Sequence, residues 1–164
     1  HSDQTGSFEI AEKEDGTHCL KQINPEKGYD WMRVYRRSNI KPNTLIGDVN
    51  WKDFTCSVDV FIEGGNVELG GRVQSSYLKG YRFMLEKNGN WKLIFDKETL
   101  SEGHINDFDS KAWHNIKLQF RDKEITAFVN GETITKVNHK SISGYVLLGS
   151  SYNANLFDNL VVSE

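Results

Sequence analysis

The chain has 164 residues, 37% of them hydrophobic and 26% charged, with fourteen Gly and only two Pro. That is the size and make-up of one globular domain with its own core, which excludes a disordered or fibrous chain. Twenty basic residues against twenty-three acidic ones give a formal charge of −3, which argues against nucleic acid as the default partner, because phosphate binding needs a basic face.

The first residue is His1 and no signal-peptide pattern follows it, so a mature or excised form is expected. No apolar run anywhere approaches the roughly 20 residues that a membrane span needs. Cys19 and Cys56 permit one disulfide at most. They are expected to be two separate small core residues, and they are too few for a disulfide framework or a Cys-rich zinc site. No internal repeat or low-complexity linker breaks the chain, so residues 1–164 read as a single domain.

Tyr29, Trp31 and Tyr35 come next, with Arg33, Arg36 and Arg37 among them. Aromatic rings offer a surface for the C–H face of a pyranose, and guanidinium groups suit its hydroxyls. A pocket with a few placed polar groups is the usual form of such a site. The stretch 29–37 is therefore the most ligand-like in the chain; the alternative is an ordinary strand with exposed arginines.

From residue 54 the hydrophobic period is two. Phe54, Cys56, Val58, Val60 and Ile62 share one face of an extended segment, with Thr55, Ser57 and Asp59 on the other, the alternation of a half-buried strand. Val67 to Val73 forms another strand interrupted by Gly70 and Gly71, a pattern that marks a bulge or a close ligand approach. Tyr81, Phe83 and Leu85 alternate, Lys87-Asn88-Gly89-Asn90 turns the chain, and Trp91, Leu93 and Phe95 alternate again. Asn-Gly between two such runs is a strong hairpin signal. Ile116, Leu118 and Phe120, then Ile125, Ala127 and Val129, then Asn130-Gly131 and Ile134 repeat the grammar. Two last strands are expected around Tyr145–Leu148 and Phe157–Val162. No window shows a capped helical period. Many short strands separated by turns predict an all-β fold, an antiparallel β-sandwich of the jelly-roll type.

Catalytic signals are weak. Asp59, Glu63, Glu68, Glu86 and Asp96 are candidates by type for a carboxylate pair, yet their predicted places on outward strand faces and turns make solvated charge the expectation. No G-x-S-x-G occurs, and the five His residues are dispersed, without the i, i+4 spacing of a helical zinc site. Trp51, Trp91 and Trp113 each begin a strand and are expected to pack in the core or at its edge. Asp158 is the exception, a carboxylate between Phe157 and Leu160 on a predicted strand. It needs a partner, either a calcium ion bound through oxygen ligands or a cluster of backbone N–H groups from the segments near Phe8–Glu9 or Thr17–Cys19.

Asp3-Gln4-Thr5-Gly6 with Phe8-Glu9, Leu20-Lys21-Gln22, Gly47-Asp48-Val49-Asn50-Trp51, Asp59-Val60-Phe61-Ile62-Glu63, Gly71-Arg72-Val73 and Phe157-Asp158-Asn159 follow one another in order along nearly the whole chain. In that order they resemble the C-terminal lectin-like domain of the galactocerebrosidase-type enzymes, glycoside hydrolase family 59. Trp113–Leu118 and Val129–Glu132 resemble more broadly the concanavalin A/laminin-G-like sandwiches.

The resemblance implies a non-catalytic carbohydrate-recognition domain that packs against a catalytic TIM barrel and serves a secreted or lysosomal, galactoside-cleaving enzyme. It implies that the catalytic glutamates lie in that barrel, outside this chain. Trp31 matches a tryptophan that lines the galactose pocket, and Trp31, Arg33, Tyr35 and Arg72 form the expected sugar-binding set. Calcium is the implied cofactor, with Asp158 as a side-chain ligand and the backbone carbonyl near His18 as another. The rival readings are a purely structural sandwich that buttresses a barrel, and a stand-alone jelly-roll glycosidase.

Overall fold

The computed structural model describes residues 2–23, 41–74 and 79–164, without the side chains of residues 2–5. Fourteen strands lie among them, in two antiparallel sheets packed face to face. The first sheet runs β1 (Ser2–Thr5), β4 (Asn43–Ile46), β13 (Tyr145–Ser150), β6 (Asn66–Val73), β7 (Tyr81–Glu86), β8 (Asn90–Phe95), β9 (Glu98–His104). The second runs β12 (Glu132–Asn138), β11 (Glu124–Val129), β10 (His114–Arg121), β5 (Phe54–Phe61), β14 (Leu156–Ser163), β3 (His18–Gln22), β2 (Phe8–Glu12).

The sandwich follows from the period-two pattern. Phe54, Cys56, Val58 and Val60 of β5 point inward and alternate with half-exposed neighbours. Ile116, Leu118 and Phe120 of β10 flank them, and Val67, Leu69, Phe83, Leu85 and Leu93 face them from the first sheet, all fully buried. Each such side chain contributes about 1.5–3 kcal/mol by leaving water. Trp91 belongs to this core, its ring stacked on Phe83 at 6.0 Å, and Trp51 packs on Phe54 at the same distance. The two cysteines are free and buried, and enclosure pushes the Cys56 thiol up to about 12.

The hairpins obey their turn residues. Asn130 and Gly131 both take positive φ, at 51° and 84°, joining Val129 to Glu132 by a two-residue turn of the kind that matches strand twist. At Asn88-Gly89 only Gly89 has positive φ, and its N–H bonds the Glu86 carbonyl, so that loop is one residue wider.

Among the described residues five strand pairs shift register, and two of these bulges bear on the sites below. In β6, Gly70 pairs with Leu147 and Val73 with Tyr145, so Gly71 and Arg72 together oppose Val146. Arg72 takes φ 54° there, the bulge that Gly70-Gly71 anticipates. In β14, Asp158 pairs with Asp59 but Val161 pairs with Ser57, so Asn159 and Leu160 oppose Val58. Asn159 absorbs the extra residue at φ 51°, which asparagine tolerates better than most residues. This second bulge keeps Phe157 in the core and sets Asp158 beside Asp59 on the outer face of the sheet.

Candidate functional site

Of the residues expected to touch sugar, Trp31, Arg33 and Tyr35 lie outside the described residues. Arg72 is described, and its place corrects the expectation. Its side chain is 0% exposed. Nε donates to the Lys52 carbonyl at 2.6 Å, Nη1 to the Asp122 carbonyl at 2.8 Å, and Nη2 to Asp53 Oδ1 at 3.0 Å. The guanidinium also lies over the Phe120 ring at 5.0 Å. With each of its three nitrogens donating a hydrogen bond and no open surface, Arg72 fastens the strand ends and turns of the two sheets together. Beside it the Tyr81 hydroxyl donates to the Lys140 carbonyl at 2.6 Å and accepts the Lys140 N–H at 2.9 Å.

Asp158 behaves otherwise. It stands directly across from Asp59, and two carboxylates in that position repel one another. The repulsion is relieved by three side chains. Lys13, from the turn between β2 and β3, donates its ammonium to Asp158 Oδ2 at 2.5 Å. Asn115 Nδ2 donates to Asp59 Oδ1 at 2.7 Å. Asn159 serves both, its N–H on Asp158 Oδ1 and its Nδ2 on Asp59 Oδ2, each at 2.8 Å. The Lys13 contact holds the Asp158 carboxyl below its ordinary range and raises the Lys13 ammonium. The partners of Asp158 are thus the Lys13 side chain and the adjoining Asn159 N–H, rather than the backbone N–H groups of residues 8–9 or 17–19. An acid/base pair for glycoside cleavage needs one carboxyl kept protonated near neutrality, and Lys13 drives Asp158 the opposite way.

His18 begins β3 and is exposed. It shares with Asp158 a largely apolar opening of about 440 Å³, lined also by Ile10, Ile46 and Leu160. Glu68, expected on a solvated face, is instead buried and paired with Arg82 at 3.0 Å.

On the other side of Asp158 a groove of about 640 Å³ runs over the outer face of the second sheet. Trp113 and Phe61 form its aromatic wall, with ring centroids 5.8 Å apart. Trp113 is 38% exposed, so its ring is available to solvent rather than packed away. The Lys13 ammonium lies 5.5 Å from the Trp113 centroid, a cation–π contact that completes a Trp113–Lys13–Asp158 chain. Sequence reasoning placed Trp113 with the strand-start packing residues and passed over Lys13. The available signal was a lone lysine inside the acidic run Glu12-Lys13-Glu14-Asp15; it becomes legible only once β2 and β3 are known to form a hairpin.

The model of the galactocerebrosidase C-terminal lectin domain matches residues 3–164. The chain belongs to that family. It is accordingly a non-catalytic lectin-like domain. Galactocerebrosidase from Danio rerio is 28% identical over 179 residues, an alignment that covers 98% of this chain and 26% of the relative. The Salmo salar galactocerebrosidase is 29% identical over 180 residues, with the same coverage of 98% and 26%. The lectin domain therefore spans about a quarter of the length of the curated relatives that it matches. Among solved structures, a carbohydrate-binding module of Bacillus subtilis, CBM66, superposes with TM-score 0.71 at 15% identity, covering 99% of this chain and 96% of that one. That likeness establishes the shared jelly-roll sandwich. Among the described residues, no helix is long and apolar enough to cross a membrane.

Proposed function

We propose that this lectin domain recognises a galactoside-like sugar on behalf of a catalytic barrel that cleaves it, in a secreted or lysosomal setting. The observation that carries the proposal is the family match over residues 3–164. The relatives named galactocerebrosidase extend well beyond this chain, and a barrel in that remainder would hold the catalytic glutamates. Trp31, with Arg33 and Tyr35 close to it in the sequence, supplies the domain's contribution to the shared galactose pocket. In that role Trp31 stacks on the apolar face of the sugar.

Calcium enters the proposal through Asp158. A calcium ion takes six to eight oxygen ligands. Asp158 offers one carboxylate and the backbone near His18 a carbonyl, but Lys13 already holds Oδ2. Among the described residues no group of three or more His, Cys, Asp and Glu side chains is arranged to hold a metal ion. Asp158 thus suits one ligand position, and an ion there must displace the lysine. The bound ion would add a fixed positive charge where Lys13 now supplies one.

The test is steady-state hydrolysis of an aryl β-galactoside by the barrel-containing protein and its Trp31→Ala variant. The expected result is a KM raised by about tenfold, with a smaller change in kcat, the pattern of a lost binding contact. Unchanged kinetics would favour the buttress reading, in which the sandwich only supports its neighbour. Turnover by the purified lectin domain alone, abolished by replacing one of its own carboxylates, would overturn the non-catalytic assignment.

A further inference from the structure

The galactose pocket shared with a barrel concerns residues 29–37. The groove at Trp113 is separate from it in sequence, and its described lining comes from the β2–β3 hairpin, β5 and the residues just after it, β14 and Trp113. We propose that this groove is a second sugar site, complete within the domain, and that it takes a neutral or amine-bearing hexopyranose while rejecting acidic sugars. The proposal rests on the carbohydrate-recognition reading and adds a location and a charge preference to it.

Three observations converge. First, the size is right: about 640 Å³ lies within the roughly 300–1,000 Å³ of small-ligand clefts. Second, Trp113 gives a flat apolar surface beside the polar groups of the groove. A tryptophan that keeps 38% of its surface open beside Phe61 leaves apolar area which the sandwich itself does not cover. The C–H face of a pyranose matches such a ring in size and polarity. Third, the polar groups next to the ring are fixed before any ligand arrives. Asp59 is held by Asn115 and Asn159, and Asp158 by Lys13 and the Asn159 N–H. Each carboxylate oxygen accepts one of these bonds and keeps capacity for a hydroxyl, and the Lys13 ammonium has two further N–H donors. Fixed acceptors and donors beside an aromatic wall are what a ring bearing several hydroxyls requires.

Charge supplies the specificity. Among the described residues, Glu12, Glu14, Asp15, Asp59, Glu63 and Asp158 line the groove, against Lys13 and Lys21. A uronic acid or sulfated sugar would bring a further negative charge into that field, and like charges brought together select against the wrong partner. A protonated amino group would meet the opposite situation. Lys13 shows the chemistry within the chain, an ammonium seated between a carboxylate and a tryptophan face.

The test is amide and indole NMR titration of the domain at pH about 6, where carboxylates are ionised and an amino sugar is protonated. The probes are methyl β-galactoside, galactosamine and galacturonate, applied to wild type, Trp113→Ala, Asp59→Asn and Trp31→Ala. The expected result is movement of the Trp113 indole and of the Lys13 and Asn159 amides with the first two sugars, at affinities about tenfold or more above that for galacturonate. Trp113→Ala should weaken this binding at least tenfold, and Trp31→Ala should leave it unchanged. Asp59→Asn keeps the shape of the side chain, so it should fold and should narrow the gap between galactosamine and galacturonate. Galacturonate binding as tightly as the others would overturn the proposal. So would shifts that survive Trp113→Ala but vanish in Trp31→Ala, while that result leaves the shared-pocket reading in place. Absence of any shift with any of the sugars would overturn the groove site and sugar recognition by the isolated domain together.

Discussion

Two cations in this sandwich each hold an aspartate, and they do opposite work. Arg72 is wholly enclosed, with Asp53 on one edge of its guanidinium and carbonyls from Lys52 and Asp122 on the others. It gathers the approach to β5, the turn between β10 and β11 and the end of β6 into one corner. Lys13 and Asp158 keep 22% and 19% of their side chains exposed and sit at the rim of an open groove. A planar fork with several donors suits the first task and a flexible point charge the second. Burial decides between them: the enclosed cation has no capacity left for a ligand, whereas the half-open one does.

The comparison is broken most directly at Arg72. Arg72→Ala should cost on the order of 3–5 kcal/mol, as expected when a buried charged group is removed from its partners. Arg72→Lys should recover only part of this, because one ammonium cannot reach the three bonded sites with the same geometry. Urea unfolding measures both, and a loss below about 1 kcal/mol would show that the corner is not a fastening. Gly71→Ala tests the same corner from the backbone. A Cβ there would overlap the ring of Phe120, which is fully buried against Phe54 and Tyr81. Overpacking of this kind should cost about 1–3 kcal/mol, read as a lower urea midpoint with an unchanged slope.

Strands such as β5, β7, β8 and β10 were legible because apolar residues alternate in them, and Asn130-Gly131 closes its hairpin as the residue types require. β9, Glu98–His104, was not legible, because it is a mostly exposed edge strand with little apolar alternation. Arg72 was misread for a related reason. A charged residue near two glycines signals an irregular strand, but only the tertiary fold shows that the bulge turns the side chain inward. Asp158 was singled out correctly as a carboxylate in need of a partner. That partner is 145 residues away along the chain, beyond the reach of local pattern. Trp113 shows the converse: strand-start tryptophans look alike in sequence, yet Trp91 is buried and Trp113 is open.

Smaller effects sharpen the Lys13 side of the comparison. Lys13→Met should lower the melting temperature by a few degrees at neutral pH, since Asp158 then faces Asp59 with only the Asn115 and Asn159 hydrogen bonds to offset the repulsion. The pH dependence follows from both shifts. Asp158 is depressed from its ordinary 3.8, so its contribution is present above that value and is lost as pH falls through the lower folded one. Lys13 is raised from 10.5, so its contribution is present below that value and is lost as pH rises through the higher folded one. The gap between wild type and Lys13→Met should therefore be widest from mildly acidic to mildly alkaline pH and should close in strong acid. A gap independent of pH would assign the effect to packing. Melting wild type and Asp158→Ala with excess calcium and with chelator tests the ion. A calcium-dependent rise in wild type that vanishes in the variant supports a calcium site, and no response in either contradicts one. The smallest effect is expected at Trp113→Ala, whose stability should stay within about 0.5–1 kcal/mol of wild type because the ring is already partly solvated.

The central claim is that this lectin domain holds a sugar without cleaving it. Saturation-transfer NMR on the purified domain with methyl β-galactoside, followed over days in one sample, tests both halves together. The account predicts transfer to the ring protons of the sugar, no release of free galactose, and loss of most of the transfer in Trp113→Ala. Accumulating galactose, or transfer that is absent from wild type, would contradict it.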